Sequence, residues 1–280
     1  MSPRVGVVGH VEWVDFAVVD RLPAAGEIVV AREAFADAGG GGGVAAVQLA
    51  RLCGRVELLC ALGSDHVARA AAERLRARGV TLHAMGRDQP QPRAVAHLAD
   101  DGERTITVLA APLGPRGADP LPWELAGRLD GVYVTAGDGY AVRRARAAKV
   151  LVATPRAAPG LTEAGVRIDA LVLSDGDAHE RGIAERLDPA PALIARTQGA
   201  RGGAWERRDG AAGRWEPAPL PGAPVDAFGC GDSFAAALTA ALAAGAQTEA
   251  ALAYAARAGA AALCGRGPYG GAIEAIGAPA

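Results

Sequence analysis

The sequence is poor in the residues that build disulfide-rich or zinc-binding domains. Four cysteines lie far apart in 280 residues, and no two of them are spaced as C-x-x-C. A disulfide framework and a structural zinc site are therefore not expected. Aromatic residues make up only 4% of the chain, and no apolar run approaches the ~18 residues of a membrane-spanning helix. The sequence thus predicts no contact with a membrane.

A strong charge of one sign is also missing. The formal net charge is −2, and the basic residues form no run. The electrostatic footprint of a nucleic-acid surface is therefore absent, which favours a small molecule as the partner. The first residues, MSPRVGVVGH, resemble a short strand and are too short for the apolar region of a signal peptide. We expect a cytoplasmic protein.

The chain is rich in alanine and other apolar residues, since hydrophobic residues make up 50% of it. Its length fits one α/β domain that spans residues 1–280. Short apolar runs alternate with helical patterns, such as His66–Arg78 and two Ala-rich helices between Gly231 and Leu263. This alternation predicts a mainly parallel central sheet flanked by helices. The predicted strands are Val5–Val8, Val56–Ala61, Val80–Ala84, Val132–Thr135, Val150–Ala153, Ala170–Leu173 and Ala192–Arg196.

Two extended segments, near 11–36 and 92–109, interrupt the alternation. A turn at Pro23–Gly26 divides the first segment, and Asp100-Asp101-Gly102 predicts a hairpin turn in the second. We expect the two segments to form one small β-sheet that covers a substrate cleft as a lid. The same layer is the expected contact of a homodimer.

Five consecutive glycines, Gly39–Gly43, directly precede a helical apolar stripe. They are a poor match to a dinucleotide-binding loop, because the acidic residue expected at the end of the next strand is missing. A plain flexible turn is one alternative. We favour a close approach of the backbone to a substrate, which a side chain would block.

The most informative segment is 225–234, VDAFGCGDSF, which leads directly into an Ala-rich helix. Small residues before a helix leave backbone N–H groups free to bind an anion, and the helix dipole adds to the attraction. Asp232 would then lie beside a phosphate and accept a proton from an attacking hydroxyl. Its alternative role is that of a helix cap.

At this segment the sequence resembles the ribokinase/PfkB family of sugar kinases, whose signature D-T-x-G-A-G-D is similar to Asp226–Asp232. The resemblance implies a ribokinase-like fold, with Asp232 as the catalytic base and Gly229, Cys230 and Gly231 as the source of anion-hole amides. We interpret Cys230 as a packing residue, not a nucleophile. Further matches occur in family order at Gly9, Pro23, Gly26 and Glu27, at Gly39-Gly40 through Arg51-Leu52, at Gly63-Ser64-Asp65, at Asp101–Arg104 and at Thr197-Gln198-Gly199.

The resemblance also implies ATP and Mg²⁺ as cofactors. Thr197 and Gly199 would border the nucleotide, and Gly267 lies in the segment that closes over the adenine in the family. That segment, together with Asp226, is implied to hold a monovalent cation such as K⁺.

The magnesium motif of the family, N-x-x-E, is similar to Asp175–Ala178, so Asp175 replaces the Asn and Ala178 replaces the Glu. Asp177 or Glu180 would compensate, since Mg²⁺ keeps several waters and needs few direct carboxylates. A helix-capping role for Asp175 and Asp177 is an equal alternative.

The substrate end departs further from the family. Its sugar-binding Asn and Asp on the first lid strand fall on Glu12 and Val14, and the Asn that follows Gly39 and Gly40 is Val44. Asp15 lies one residue beyond the Val14 position, and successive side chains of a strand point to opposite faces of the sheet. We therefore expect Glu12 to contact the substrate, with Asp15 as the alternative.

Three functions follow from these residues. The first is an ATP-dependent kinase that phosphorylates a hydroxymethyl group of a sugar or sugar-like molecule. The second is a nucleoside kinase, because Val44 and Trp13 would make a more apolar pocket. The third is a ligand-binding protein that has kept the fold without catalysis, and the intact Gly229–Asp232 segment argues against it.

Overall fold

The computed structural model describes residues 2–99 and 104–271. Its strands are β1 (Val5–Val8), β2 (Glu12–Val19), β3 (Glu33–Gly39), β4 (Val56–Leu62), β5 (Val80–Gly86), β6 (Arg93–Ala99), β7 (Arg104–Val108), β8 (Gly131–Val134), β9 (Val150–Ala153), β10 (Ala170–Ser174), β11 (Leu193–Thr197), β12 (Gly203–Arg207) and β13 (Ala212–Trp215). Its α-helices are α1 (Gly40–Cys53), α2 (His66–Ala77), α3 (Gly139–Ala145), α4 (Ala158–Ala164), α5 (Cys230–Ala243) and α6 (Thr248–Leu263). No helix in the described ranges is both long and apolar enough to cross a membrane.

The main sheet has nine strands in the order β13-β12-β11-β10-β9-β8-β1-β4-β5. Every pairing from β5 across to β11 is parallel. The predicted mainly parallel α/β architecture is therefore confirmed, and each of the seven predicted strands is present within a few residues.

The edge formed by β12 and β13 was not predicted from the sequence. Both strands pair antiparallel, β12 with β11 and β13 with β12. The two strands are short and polar on one side, and their buried residues are mainly two tryptophans, Trp205 and Trp215. The alternation of strands and helices therefore ends at β11, and the sheet continues through β12 and β13.

Helices cover both faces of the main sheet. One apolar core joins it to α1, α2, α5 and α6, and a second core joins its other face to α3 and α4. Alanine supplies most of the helical side of the first core, which brings the backbones close together. This explains how a chain with few aromatic residues fills its interior.

A separate sheet of four strands contains the two extended segments, in the order β3-β2-β6-β7. β2 pairs antiparallel with β3 and parallel with β6, and β7 pairs antiparallel with β6. The predicted joining of segments 11–36 and 92–109 in one small sheet is confirmed. The predicted hairpin turn at Asp100-Asp101-Gly102 lies outside the described residues.

The glycine run belongs mostly to a helix, whereas the sequence pattern placed it before the helix. α1 begins at Gly40, whose φ is +76°, a conformation that favours glycine. A methyl group at Gly42 would lie 2.7 Å from the carbonyl oxygen of His10. Close packing against the segment that follows β1 therefore overrides the low helix propensity of glycine.

Candidate active site

The carboxyl ends of β1 and β8 lie side by side where the chain order of the sheet reverses, since β1 pairs with β4 on one side and β8 on the other. Ligands of open α/β sheets bind at such a point. His10 follows β1, and Thr135 follows β8. The N-terminus of α1 reaches the same place, because Gly41 N–H donates to His10 Nε2 at 3.2 Å.

His10 is neutral and fixed in one tautomer. Since its Nε2 accepts from Gly41, we assign the ring proton to Nδ1, which donates to Thr135 Oγ1 at 3.4 Å. Burial lowers the pKa of His10 to about 4, and the positive charge of Arg156 adds to this effect. The imidazole thus caps the N-terminus of α1 and orients it.

Asp232 lies in the first turn of α5 and faces this point. A methyl group at Gly41 would be 3.0 Å from Asp232 Oδ1, so the glycine leaves the carboxylate accessible. Burial raises the pKa of Asp232, whereas the charges of Arg156 and Arg104 and a hydrogen bond from the Tyr133 hydroxyl lower it. Burial thereby makes the carboxylate more basic, and the two arginines favour its ionised form.

The residues before Asp232 leave space open at the N-terminus of α5. Gly229 caps α5 with a φ of +77°, and a methyl group there would be 2.9 Å from Val44 Cγ1. A methyl group at Gly231 would meet nothing within 4 Å, so space is open above the helix N-terminus. The first N–H groups of a helix lack partners within the helix. The Cys230 N–H makes only a long contact, at 3.4 Å, with the Ala227 carbonyl.

Cys230 starts α5 and is half-buried. Burial raises the pKa of its thiol to about 11, with smaller effects from Arg104 and Asp226. The side chain is therefore a thiol at neutral pH. This agrees with the interpretation of Cys230 as a packing residue and not a nucleophile.

Asp226 joins two loops. Its Oδ1 accepts a hydrogen bond from Phe228 N–H, and its Oδ2 accepts one from Gly267 N–H, both at 2.7 Å. The side chain is buried, and burial raises its pKa against the effect of these two bonds. Gly267 thus lies beside the segment that leads to Asp232.

The ends of β10 and β11 are connected through side chains. Gln198 donates to Asp175 Oδ2 at 2.7 Å and accepts from Arg214 at 2.8 Å. Thr197 donates through its hydroxyl to the Leu173 carbonyl at 3.3 Å, whereas Gly199 is exposed with a φ of +58°. Asp175 is therefore held by Gln198, and Gly199 offers backbone at the surface.

Asp177 and Glu180 follow β10. Asp177 caps a 3-10 turn by accepting from His179 N–H at 2.9 Å, and it lies 3.8 Å from Arg156. Glu180 is buried and accepts from Ser174 N–H at 2.7 Å, and burial raises the pKa of Glu180. Among the described residues, no three His, Cys, Asp or Glu side chains form a ready metal cluster.

Glu12 and Asp15 point to opposite faces of the second sheet. Glu12 is only 8% exposed, and its carboxylate accepts no hydrogen bond from the part of the chain that the structure describes. Burial raises the pKa of Glu12, Arg156 lowers it and Asp232 raises it, so Glu12 interacts electrostatically with Asp232. Asp15 instead accepts from Arg93 at 2.7 Å on a partly exposed face.

Gly39 and Gly40 adjoin Glu12. Gly39 is opposite Glu12 in the β2–β3 register, and a methyl group at Gly40 would be 2.9 Å from the Glu12 backbone nitrogen. The predicted group of Glu12, Gly39, Gly40 and Asp232 thus comes together, and Asp15 lies outside it.

Tyr133 and Arg156 act on Asp232 but were not among the predicted site residues, and Arg104 was noted only as part of the family match Asp101–Arg104. Tyr133 looks like an ordinary strand residue, yet interaction with its hydroxyl lowers the pKa of Asp232. Arg156 follows β9 and Arg104 begins β7, so neither is near the signature in sequence. The only signal for Arg156 is its position just beyond a buried parallel strand, where functional residues collect.

The chain matches the family model described as pfkB family carbohydrate kinase over residues 2–151 and 172–275. Its fold is that of several solved structures. Ribokinase from Arabidopsis thaliana, complexed with ribose and ATP, is 21% identical with a TM-score of 0.72, over 94% of this chain and 93% of that one. Ribokinase from Giardia lamblia is 16% identical with a TM-score of 0.78, over 98% and 97% of the two chains.

Adenosine kinase from Sinorhizobium meliloti is 18% identical with a TM-score of 0.73, over 96% of each chain. A comparison with curated proteins found no match. Since the family model covers most of the sequence and the expected signature residues converge on one site, this chain belongs to the pfkB family of carbohydrate kinases.

Proposed function

We propose that this protein is an ATP-dependent kinase that phosphorylates a hydroxymethyl group of a sugar or sugar-like molecule. The observation that carries the proposal is the position of Asp232, in the first turn of α5 beside the open N-terminus at Gly231 and against Gly41. A base and an anion site next to each other are the two parts that phosphoryl transfer to an alcohol requires.

In the proposed reaction the substrate hydroxyl oxygen attacks the γ-phosphorus of ATP, and the bond from that phosphorus to the β–γ bridging oxygen breaks. Asp232 accepts the hydroxyl proton, and ADP leaves. The amides of Gly229, Cys230 and Gly231 stabilise the negative charge of the transferring group. Asp232 suits this role because partial burial makes it more basic, while Arg156 and Arg104 keep it ionised.

Thr197, Gly199 and Gly267 would border the ATP molecule. Thr197 and Gly199 lie at the carboxyl end of β11. Gly267 donates its N–H to Asp226, in the segment before α5. The Arabidopsis ribokinase structure contains ATP, and it shares the fold of this chain. Asp232 and the nucleotide-bordering residues would then lie on opposite sides of the γ-phosphate.

For Mg²⁺ the donor set fits an ion that keeps most of its waters. Asp175, Asp177 and Glu180 each accept one hydrogen bond through one oxygen, so the second carboxylate oxygen of each residue would be available to the ion or its waters. Mg²⁺ would supply charge neutralisation of the phosphates. K⁺ at Asp226 stays a prediction from the resemblance, since both oxygens of Asp226 accept backbone N–H groups.

A nucleoside is the second candidate acceptor. Val14, Phe16, Val44 and Phe228 form a buried apolar cluster between the second sheet and α1, where hydroxyl-binding side chains were expected. The similarity in fold to an adenosine kinase is compatible with this candidate. Glu12 would supply the polar contact in either case.

The second sheet would act as the lid and as a homodimer contact. Its edge strand β7 is exposed throughout and carries Ile106 and Val108, which are 41% and 51% exposed. Exposed apolar residues on an edge strand favour pairing with another strand. Light scattering on the purified protein tests the dimer.

A panel of sugars, polyols and nucleosides, assayed for ADP release, tests the proposed function. We expect one class to be phosphorylated by the wild type and not by Asp232→Asn. Ligand binding without ADP release, for every member of the panel, would instead identify a non-catalytic binding protein. Mass spectrometry of the product then locates the phosphate on a hydroxymethyl group or elsewhere.

A further inference from the structure

Arg156 lies at the carboxyl edge of the main sheet, in the 3-10 turn Pro155–Ala157 that follows β9. β9 is parallel to β8 on one side and to β10 on the other. The turn is therefore located between the end of β8, near Tyr133, and the segment after β10 that contains Asp177. The residue before the turn, Thr154, is buried and donates its backbone N–H to the Val134 carbonyl at 3.2 Å, which joins the turn to the end of β8.

Among the described residues, the guanidinium of Arg156 has no close partner. Its ion pair there is with Asp177 at 3.8 Å, and its side chain is 65% exposed. By contrast, Arg87 forms a bidentate contact with Asp119, and Arg146 donates to Asp169 and to the Ala148 carbonyl. Arg156 is thus free to reorient, whereas those structural arginines are fixed.

The charge of Arg156 reaches the whole site. It lowers the pKa of five groups that surround the reaction centre, namely His10, Glu12, Tyr133, Glu180 and Asp232. Most of these groups are acids, so a phosphate entering here would meet like charge unless a cation accompanied it. An arginine with its donors unused is the side chain suited to that task.

We propose that Arg156 binds the γ-phosphoryl group of ATP, on the side opposite the amides of Gly229–Gly231, and stabilises it during transfer. This inference rests on the proposed kinase function. Arg156 would then be a cationic residue of the reaction that lies outside the segment Asp226–Asp232, in the turn that follows β9.

Two other roles for Arg156 make different predictions. If Arg156 only holds Asp177 in place, its loss would affect ATP and ADP alike, since both nucleotides bring Mg²⁺. If it binds the acceptor molecule, its loss would change neither nucleotide. A group that contacts the γ-phosphoryl alone must distinguish ATP from ADP.

The experiment is calorimetric titration of the full chain with ATP and with ADP, each with Mg²⁺ and without acceptor. We expect Arg156→Gln to weaken ATP binding by about tenfold or more, as the loss of a hydrogen bond to a charged group does. ADP binding should be unchanged. Arg156→Lys should recover part of the affinity for ATP, because lysine keeps the charge and loses the planar pair of donors.

Arg186→Gln is the matched control, because Arg186 is exposed in a turn after β10 and is not part of the site. It should change neither affinity. ATP binding by Arg156→Gln at wild-type strength, or a parallel loss of ATP and ADP, would overturn the inference. Failure of the wild type to bind ATP would instead refute the proposed kinase function, so the two failures are distinct.

Discussion

Asp226 and Gly267 are joined by a hydrogen bond of 2.7 Å from the glycine N–H to Oδ2, across 41 residues of sequence. The other oxygen of Asp226 accepts from Phe228 N–H. The carboxylate therefore ties the loop before α5 to the loop after α6. These two loops flank the proposed anion site, so its geometry depends on one buried side chain.

We predict that Asp226→Asn lowers the free energy of unfolding by about 1–3 kcal/mol, because one buried N–H loses its acceptor. Urea unfolding of the purified variant measures the change. Asp88→Asn is the control, since Asp88 is exposed and should leave stability unaltered. Equal urea midpoints for the wild type, Asp226→Asn and Asp88→Asn would show that the hydrogen bonds of Asp226 contribute little to stability.

Asp232→Asn should lower turnover roughly 100- to 10,000-fold, the contribution typical of a general base. ATP binding should stay close to that of the wild type, because the anion site is made of backbone amides. Single-turnover phosphorylation and calorimetry measure the two quantities. Turnover within a fewfold of the wild type would remove Asp232 from the role of base.

The pH dependence of turnover provides an independent test of Asp232. Burial is the largest effect and raises the pKa of Asp232 above the ordinary value of 3.8, while Arg156, Arg104 and Tyr133 oppose it. A protonated carboxyl cannot accept the proton of the substrate. Activity should therefore fall on the acid side at a pH above 3.8. Removal of Arg156 should shift this loss of activity to higher pH, because the charge of Arg156 lowers the pKa of Asp232.

His10 should make folding stability depend on pH. Its pKa falls from 6.5 when unfolded to about 4 in the folded protein, so the unfolded chain binds more protons between these values. Stability is therefore complete above pH 6.5 and is lost as the pH falls towards 4. The full loss corresponds to about 3 kcal/mol by the linkage relation.

Denaturant unfolding from pH 7 to pH 4 measures this contribution. In His10→Gln the amide oxygen can accept from Gly41 and the amide N–H can donate to Thr135, with no titration, so the pH slope should decrease. His66→Gln is the control, because His66 is exposed at the start of α2. An unchanged slope in His10→Gln would mean that other groups cause the acid sensitivity.

The parallel strands and the α5 segment were predictable because their signals are local. A run such as Val150–Ala153 is apolar and short, and the glycines before Asp232 directly precede a strong helix former. The start of α1 was not predictable, since glycine disfavours a helix. Only the packing of Gly42 against His10 shows why a helix begins there.

The surroundings of Asp232 could not be read from the chain for a different reason. Arg104 and Tyr133 lie in two strands and Arg156 in the turn after a third, all distant in sequence, and the local context of Tyr133 and Arg156 is ordinary. Their roles arise from convergence at the carboxyl edge of one sheet. Two-residue periodicity, in contrast, was sufficient to separate Glu12 from Asp15.

The side chain of Glu12 is only 8% exposed, and its carboxylate accepts no hydrogen bond from the described residues, so both oxygens are available to hydroxyl groups of a ligand. Glu12→Ala should therefore raise the Michaelis constant of the true acceptor by about tenfold or more, the effect of losing a hydrogen bond to a charged group. Initial-rate kinetics at saturating ATP measures it.

Asp15→Ala is the matched control, one residue along β2 and on the opposite face. Asp15 already accepts from Arg93 at 2.7 Å, so its removal should leave the Michaelis constant near that of the wild type. Glu12→Gln keeps the shape of the side chain and separates loss of charge from loss of packing. A normal Michaelis constant in Glu12→Ala together with a large increase in Asp15→Ala would mean that β2 presents its other face to the acceptor.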